Sequence, residues 1–336
     1  MAYEIEMLNV GNADAIILRY INPNGTEYVV VIDAGNKNDG IKVAEQIKAF
    51  TTQKFIDLAI CSHPDSDHIG GFFYLIENMR IDEFWIHDPA NHVDVSEIRK
   101  SISEARLTKS MGKITESIDN NINLLEIIRK KGITHKEPFT GLKHEHIPLT
   151  ILGPSIPFYE SLIKNFRDVK QLFEEERILE YDDKDEYGLL WQILNEDESL
   201  SDVLDEDDDK SSENNSSTII AFHPDNGKKY LFTADTGPMA LQEVVDLEPI
   251  WTKDLDWLDV PHHGSKKNLN SSLIKHFSPK VAFVSGKGKR KYPSMAVVNA
   301  LKKVGALVYS TAKSECNIVH RNGLESRKGY GNIENY

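Results

Sequence analysis

The stretch SHPDSDHIGG, residues 62–71, follows directly on the apolar run IDLAIC and packs His63, Asp65, Asp67 and His68 into six positions before Gly70 and Gly71. An aliphatic run of this length reads as a buried strand. A strand ending in H-x-D-x-D-H puts four ligand-type side chains on one tight loop. Imidazole with carboxylate and no thiolate suits zinc, manganese or iron and argues against a purely structural zinc site. A capped turn needs one such residue, not four.

Working outward, the same ending recurs. Asp33 closes VVVIDAG, Asp235 closes LFTAD, and His262 and His263 close LDVP, each with a glycine within three residues. Any one of these aspartates alone reads as a turn residue. Together, spread over 200 residues of chain, they are what a binuclear site at one edge of a sandwich requires.

The flanking elements support two similar halves. YEIEMLNV, DAIILRY and EYVVVIDAG are β-branched runs broken by GNAD and NPNG, which predicts a meander. GIKVAEQIKAF and GGFFYLIENM have helical spacing, FWIHDP reads as the next strand, and two helices are expected between about 96 and 131. IPLTILGPS adds a strand. In the second half, STIIAFHPDNGKKYLFTADTG predicts a hairpin, LDWLDVPHHGS a strand, SSLIKHF and SMAVVNALKKVG helices, and VAFVSG, ALVYST and CNIVHR strands. The expected class is α/β (α+β), two mixed sheets with helices outside.

The chain has 336 residues, 40% hydrophobic and 27% charged, long enough for a full core. We read it as a single domain over 1–336, interrupted by an acidic, partly helical insertion over 156–213, where DEDDDKSSENNSS suggests a solvated loop. No apolar run approaches the roughly 18 residues of a membrane helix. MAYEIEML lacks a signal-peptide pattern, so a cytoplasmic location is expected, with no membrane partner. Cys61 and Cys316 form no CxxC pair and suggest no disulfide framework.

The net charge of −14 is unevenly spread. Residues 171–213 carry 18 Asp/Glu against 3 Lys/Arg, a local −15, whereas residues 262–336 carry 14 Lys/Arg against 3 Glu, a local +11. A basic C-terminal quarter can attract a polyanion although the whole chain is acidic.

These motifs resemble the metallo-β-lactamase superfamily, whose usual signature is H-x-H-x-D-H, and more narrowly the hydrolase domain of ComEC-type competence proteins. The matching stretches here are NVGNADAIIL, IDAG, SHPDSDHIGG, NNSSTII, LFTAD and VPHHGS. The resemblance implies a four-layer αββα metallo-β-lactamase sandwich, one or two divalent metal ions (zinc or manganese, with magnesium possible) and hydrolysis. By position, it implies His63 and Asp65 on a first metal, Asp67 and His68 on a second, Asp235 bridging, and one of His262 and His263 completing the second, with His262 favoured. Asp67, His68 and Asp235 would be catalytic. Asp33 would orient the ligand loop from behind, and Asn214 or Asn215 falls where the family has a further histidine. Asp65 replaces that family's second histidine and hardens the site. Ala234 stands for a glycine, and Tyr292 for a histidine before proline.

Paired cations ready a water for attack on phosphodiesters, lactones, thioesters or β-lactams alike. The flanks lean toward phosphate: Ser265, Lys266 and Lys267 follow the histidine pair, and GKGKRKYPS adds Lys289, Arg290 and Tyr292. The expected function is a metal-dependent phosphodiesterase, a nuclease acting on DNA. The rivals are a small-molecule hydrolase of a lactone, thioester or cyclic nucleotide, and a non-catalytic module that binds a protein partner through the acidic insertion.

Overall fold

The computed structural model describes residues 1–51, 55–93, 109–165, 204, 208–224, 227–286, 292–326 and 335–336. Strands β1 (Ala2–Met7), β2 (Ala15–Ile21) and β3 (Glu27–Ala34) form an antiparallel meander with Ile5 opposite Leu18 and Leu18 opposite Val30. After β3 the chain carries α1 (Asp39–Phe50) and then runs parallel through β4 (Phe55–Ile60), with α2 (Ser66–Ile69) and α3 (Phe72–Asn78), into β5 (Arg80–Trp85). Helix α4 (Lys109–Lys131) leads to β6 (Thr134–Lys136), also parallel.

The second sheet repeats the scheme. β7 (Leu149–Gly153) is followed by α5 (Ile156–Asn165) and α6 (Ser212–Asn215). β8 (Ile219–Phe222) and β9 (Tyr230–Phe232) then complete an antiparallel set with β7. Helices α7 (Pro238–Leu247), α8 (Ser271–Phe277) and α9 (Met295–Lys303) connect β9 to the parallel strands β10 (Trp257–Asp259), β11 (Val281–Val284) and β12 (Leu307–Ser310). After α10 (Thr311–Ser314) the last strand, β13 (Ile318–Asn322), crosses back and pairs with β1 in the first sheet. Strand orders are β13-β1-β2-β3-β4-β5-β6 and β12-β11-β10-β9-β8-β7.

Alternation along the strands explains the layers. Ile16, Leu18, Val30, Ile32, Leu58 and Ile60 point between the sheets to meet Phe222, Phe232, Trp257 and Phe283. The intervening Ile17, Val29, Val31 and Ala59 face outward against α1, α3 and α4. Leu231, Leu258 and Val284 face the helices of the second sheet. Strands buried on both faces read as unbroken aliphatic runs, as VVVI does. Each such side chain contributes about 2 kcal/mol by leaving water. The result is the four-layer αββα sandwich of two mixed sheets. The loops that carry Asp33, the 63–68 motif, Asp235 and the 262–263 pair leave the C-terminal ends of β3, β4, β9 and β10.

Two expectations shift. FWIHDP is not the strand; Arg80–Trp85 is, because its pairing with Phe55–Ile60 fixes the register, and a 3-10 turn begins at Pro89. The first of the two helices expected from 96 onward lies outside the described residues. So does most of the acidic insertion: Ile156–Asn165, Leu204 and residues 208–213 are described. Its far end is not a solvated loop, since Asp209 and Glu213 are buried.

Candidate metal centre

The loop after β4 is anchored by β3. Asp33, at φ 54° at the end of β3, accepts from Ser62 N (2.8 Å) and Ser62 Oγ (2.6 Å) and from His68 Nδ1 (2.8 Å). The two glycines of the motif let this loop dock. A Cβ on Gly71 would lie 2.0 Å from the Ala34 carbonyl oxygen, and one on Gly70 2.6 Å from Lys37 N.

Every histidine of the site is held by Nδ1. Ser62 spends its proton on Asp33, so its oxygen accepts from His63 Nδ1 at 3.1 Å. His262 Nδ1 faces Asp209 Oδ2 at 3.3 Å, and His263 Nδ1 meets Ser285 Oγ at 2.8 Å with Asp14 Oδ1 at 3.6 Å. That leaves Nε2 of each ring facing a carboxylate. The separations are His63 to Asp65, 3.6 Å; His68 to Asp235 Oδ1, 3.4 Å; His262 to Asp235 Oδ2, 3.7 Å; and His263 to Asp67, 3.8 Å. These are too long for good hydrogen bonds. They match two ligands each about 2.1 Å from a shared tetrahedral cation, which lie about 3.4 Å apart.

The burial pattern fits the same reading. His63 Nε2, His68 Nε2, Asp235 Oδ1 and Asp14 Oδ1 are buried without a hydrogen-bond partner, a state that costs free energy unless a ligand satisfies it. Among the described residues, two groups bring their ligand atoms within 4.8 Å of one another: His63, His68 and Asp235, and Asp67, His68 and His263. His68 belongs to both but has one nitrogen to give, its Nδ1 being committed to Asp33. Two ions together therefore need a further donor, and Asp14 Oδ2 (4.0 Å from His68 Nε2) and His262 are at hand. The side chains of Asp65 and Asp67 are 33% and 32% exposed whereas those of His63, His68 and Asp235 are 5% or less, so the centre opens to solvent past these two carboxylates.

Residues 8–127 match the family model of the metallo-beta-lactamase superfamily. This N-terminal part of the chain is similar to the metallo-β-lactamase superfamily. Over 92% of its length it is 22% identical to the ComE operon protein 3 of Bacillus subtilis (strain 168), spanning 32%, about a third, of that protein. Among solved structures, a long form RNase Z from yeast aligns with a TM-score of 0.35 at 11% identity, covering 84% of this chain and 36% of that one.

The geometry bears on three positions singled out in the sequence. His263 stands with Asp67 and His68, whereas two consecutive left-handed residues, at φ 49° and 55°, place His262, the favoured choice, beside Asp235 and Asp209. Asn215 does not reach a candidate ligand through its amide, which donates to the Asp209 and Ser211 carbonyls, whereas Asn214 Nδ2 lies 3.2 Å from His262 Nδ1. Ala234, which stands for a glycine, has a left-handed φ of 48°, which costs an L-residue about 1–2 kcal/mol.

Of the expected phosphate-binding residues, Ser265 is buried and Lys266 and Lys267 half-buried beside the histidine pair. The Tyr292 ring lies over His262, centroids 5.5 Å apart. Lys289 and Arg290 lie outside the described residues. The sequence reading missed Asp14, Ser62, Asp209, Asn268 and Ser285. Asp14 stands inside GNAD, read as a turn and as part of the NVGNADAIIL resemblance but given no role of its own, and Asp209 is hidden among the acidic residues around it.

Electrostatics binds the centre together. Burial opposes charge throughout, yet Asp235, Asp33 and Asp67 hold the His68 imidazolium well above its ordinary range, and Asp14 and Asp67 do the same for His263. In return, against burial, His68 and His263 pull Asp67 down to about 2, and His262 and His68 hold Asp235 well below the usual carboxylate range. These imidazoles keep protons because carboxylates surround them. A divalent cation supplies the same positive charge and displaces the protons, so the donor set fits such an ion.

Proposed function

We propose that the domain is a divalent-metal-dependent phosphodiesterase, with DNA as the substrate class. The observation that carries the reading is the convergence of four Nε2 atoms and three carboxylates at 3.4–3.8 Å, with buried donors left unsatisfied. One or two divalent ions held there would supply Lewis acidity and a nucleophile at neutral pH. His63, His68, Asp235, Asp67 and His263 would hold them, with Asp65 and His262 at the margins. Zinc or manganese suits this mixed imidazole and carboxylate set, and the carboxylates leave room for magnesium.

The chain's own contribution is placement. Asp33 and Ser62 hold His68 and His63 with Nε2 inward, and Asp67 faces the open side where a substrate enters. Lys266, Lys267 and Ser265 stand beside the histidine pair, where they support a phosphodiester rather than a neutral ester. Tyr292, its ring centroid 5.5 Å from that of His262, brings an aromatic ring to the same place.

The test is cleavage of single- and double-stranded DNA and of bis(p-nitrophenyl) phosphate by chelator-stripped protein resupplied with manganese, zinc or magnesium. The expected result is metal-restored cleavage that weakens steeply with salt on DNA and is abolished by Asp67→Ala with His68→Ala. Metal-loaded protein that cleaves no phosphodiester but opens a lactone or thioester, indifferent to salt, would overturn the substrate assignment.

A further inference from the structure

Asp209 closes the acidic tract, and repulsion from Asp14, Asp33, Asp67 and Asp235 should keep such a tract away from the metal centre. Asp209 is nevertheless 9% exposed and inside it. Burying a carboxylate is costly unless its oxygens are fully bonded, and these are. Oδ1 accepts from Ser211 N (2.9 Å), and Oδ2 accepts from Asn214 Nδ2 (2.7 Å) and Asn268 Nδ2 (2.8 Å). The backbone is tied as well: Asp209 N donates to the Lys267 carbonyl at 2.9 Å, and the Asp209 carbonyl accepts from Asn215 Nδ2 at 2.9 Å. Asn268 Nδ2 also reaches the Asp235 carbonyl at 3.0 Å, so one side chain locks Asp209 to the strand end that carries Asp235.

What this clamp presents outward is Oδ2, 3.3 Å from His262 Nδ1, and the far nitrogen of that ring lies 3.7 Å from Asp235 Oδ2. The arrangement repeats Asp33 behind His68, where Nδ1 is held and Nε2 faces the other oxygen of the same Asp235. We propose that Asp209 is a positioning residue of the metal centre: it fixes the His262 ring with its free nitrogen toward Asp235, so that the end of the acidic tract is a built part of the site. This rests on the metal-centre reading above. Asn214 Nδ2 also lies 3.2 Å from His262 Nδ1 but donates to Asp209 Oδ2 at the shorter 2.7 Å, so the carboxylate is the group that accepts the Nδ1 proton. An amide would donate to Nδ1 and leave the proton on Nε2, blocking it as a ligand.

Asp209→Asn tests it, since it keeps the size and exchanges one acceptor oxygen for a donor. Chelator-stripped protein is titrated with cobalt(II), following the visible d–d absorption, and with zinc by competition against a chromophoric chelator. The expected result, on protein shown to be folded by circular dichroism, is a metal affinity lowered about 10- to 100-fold with an altered cobalt spectrum, and no further loss when Asp209→Asn is added to His262→Ala. Asn214→Ala, which removes one donor from the same carboxylate, should show a smaller loss and carries the test if Asp209→Asn unfolds. Wild-type affinity and spectrum in Asp209→Asn, or in Asn214→Ala where the first unfolds, would overturn the proposal while leaving the metal centre intact. A wild-type protein that binds no cobalt would overturn both.

Discussion

His68 Nδ1 donates to Asp33 Oδ2 at 2.8 Å, and the other nitrogen of the same ring stops 3.4 Å from Asp235 Oδ1, across the gap between the two sheets. One carboxylate in the first sheet thereby aims an imidazole at a carboxylate in the second. Asp33→Ala removes the aim but leaves the ring. The expected outcome is a metal affinity lowered about 10- to 100-fold, read by zinc competition, with a loss of activity at limiting metal that added metal partly restores.

Gly71 sets how closely the ligand loop approaches β3. Any Cβ there would lie 2.0 Å from the Ala34 carbonyl oxygen, a backbone atom that cannot step aside alone. Gly71→Ala should therefore destabilise the protein by about 3 kcal/mol, seen as a lowered midpoint in urea, and weaken metal binding by displacing His68 from Asp33.

Glu213 gives a pH dependence of known sign. Burial, with Asp65 nearby, raises its carboxyl from 4.5 to about 7. The folded protein then holds a proton between about pH 4.5 and 7 that the unfolded chain has released, so the group's contribution makes stability fall as pH rises through that window. Glu213→Gln should remove that fall. Measured by denaturant unfolding of the metal-free proteins, the variant should match wild type near pH 4 and exceed it by about 3 kcal/mol above pH 7.

Ala234, held at φ 48° between β9 and Asp235, carries strain that glycine would release. Glycine also loses more chain entropy on folding, so Ala234→Gly should stabilise by a net of about 0.5–1 kcal/mol, observed as a raised thermal midpoint without change in metal stoichiometry.

Much of this was legible in the sequence because strand ends are where polar residues stand out. Doubly buried strands leave unbroken apolar runs, and a histidine or aspartate that closes one, as in FIDLAICSH or LFTAD, has little else to explain it. What stayed hidden depends on backbone direction or on long-range packing. The reversal at His262 and His263 needs two successive left-handed residues, which no side-chain pattern announces, and it decides which histidine meets Asp67. Asp209 was invisible because its role comes from Asn268 and Asn214, far from it or unremarkable in sequence, while acidic neighbours masked it. Asp14 was given no role of its own because its partner, His263, lies some 250 residues away.

The central claim is that the facing imidazoles and carboxylates hold divalent ions, and anomalous diffraction from crystals equilibrated with zinc or manganese tests it most directly. The account predicts anomalous density between His63, His68 and Asp235, with a second peak beside Asp67 and His263 at full loading. A map with no anomalous density within coordinating reach of these side chains would contradict it.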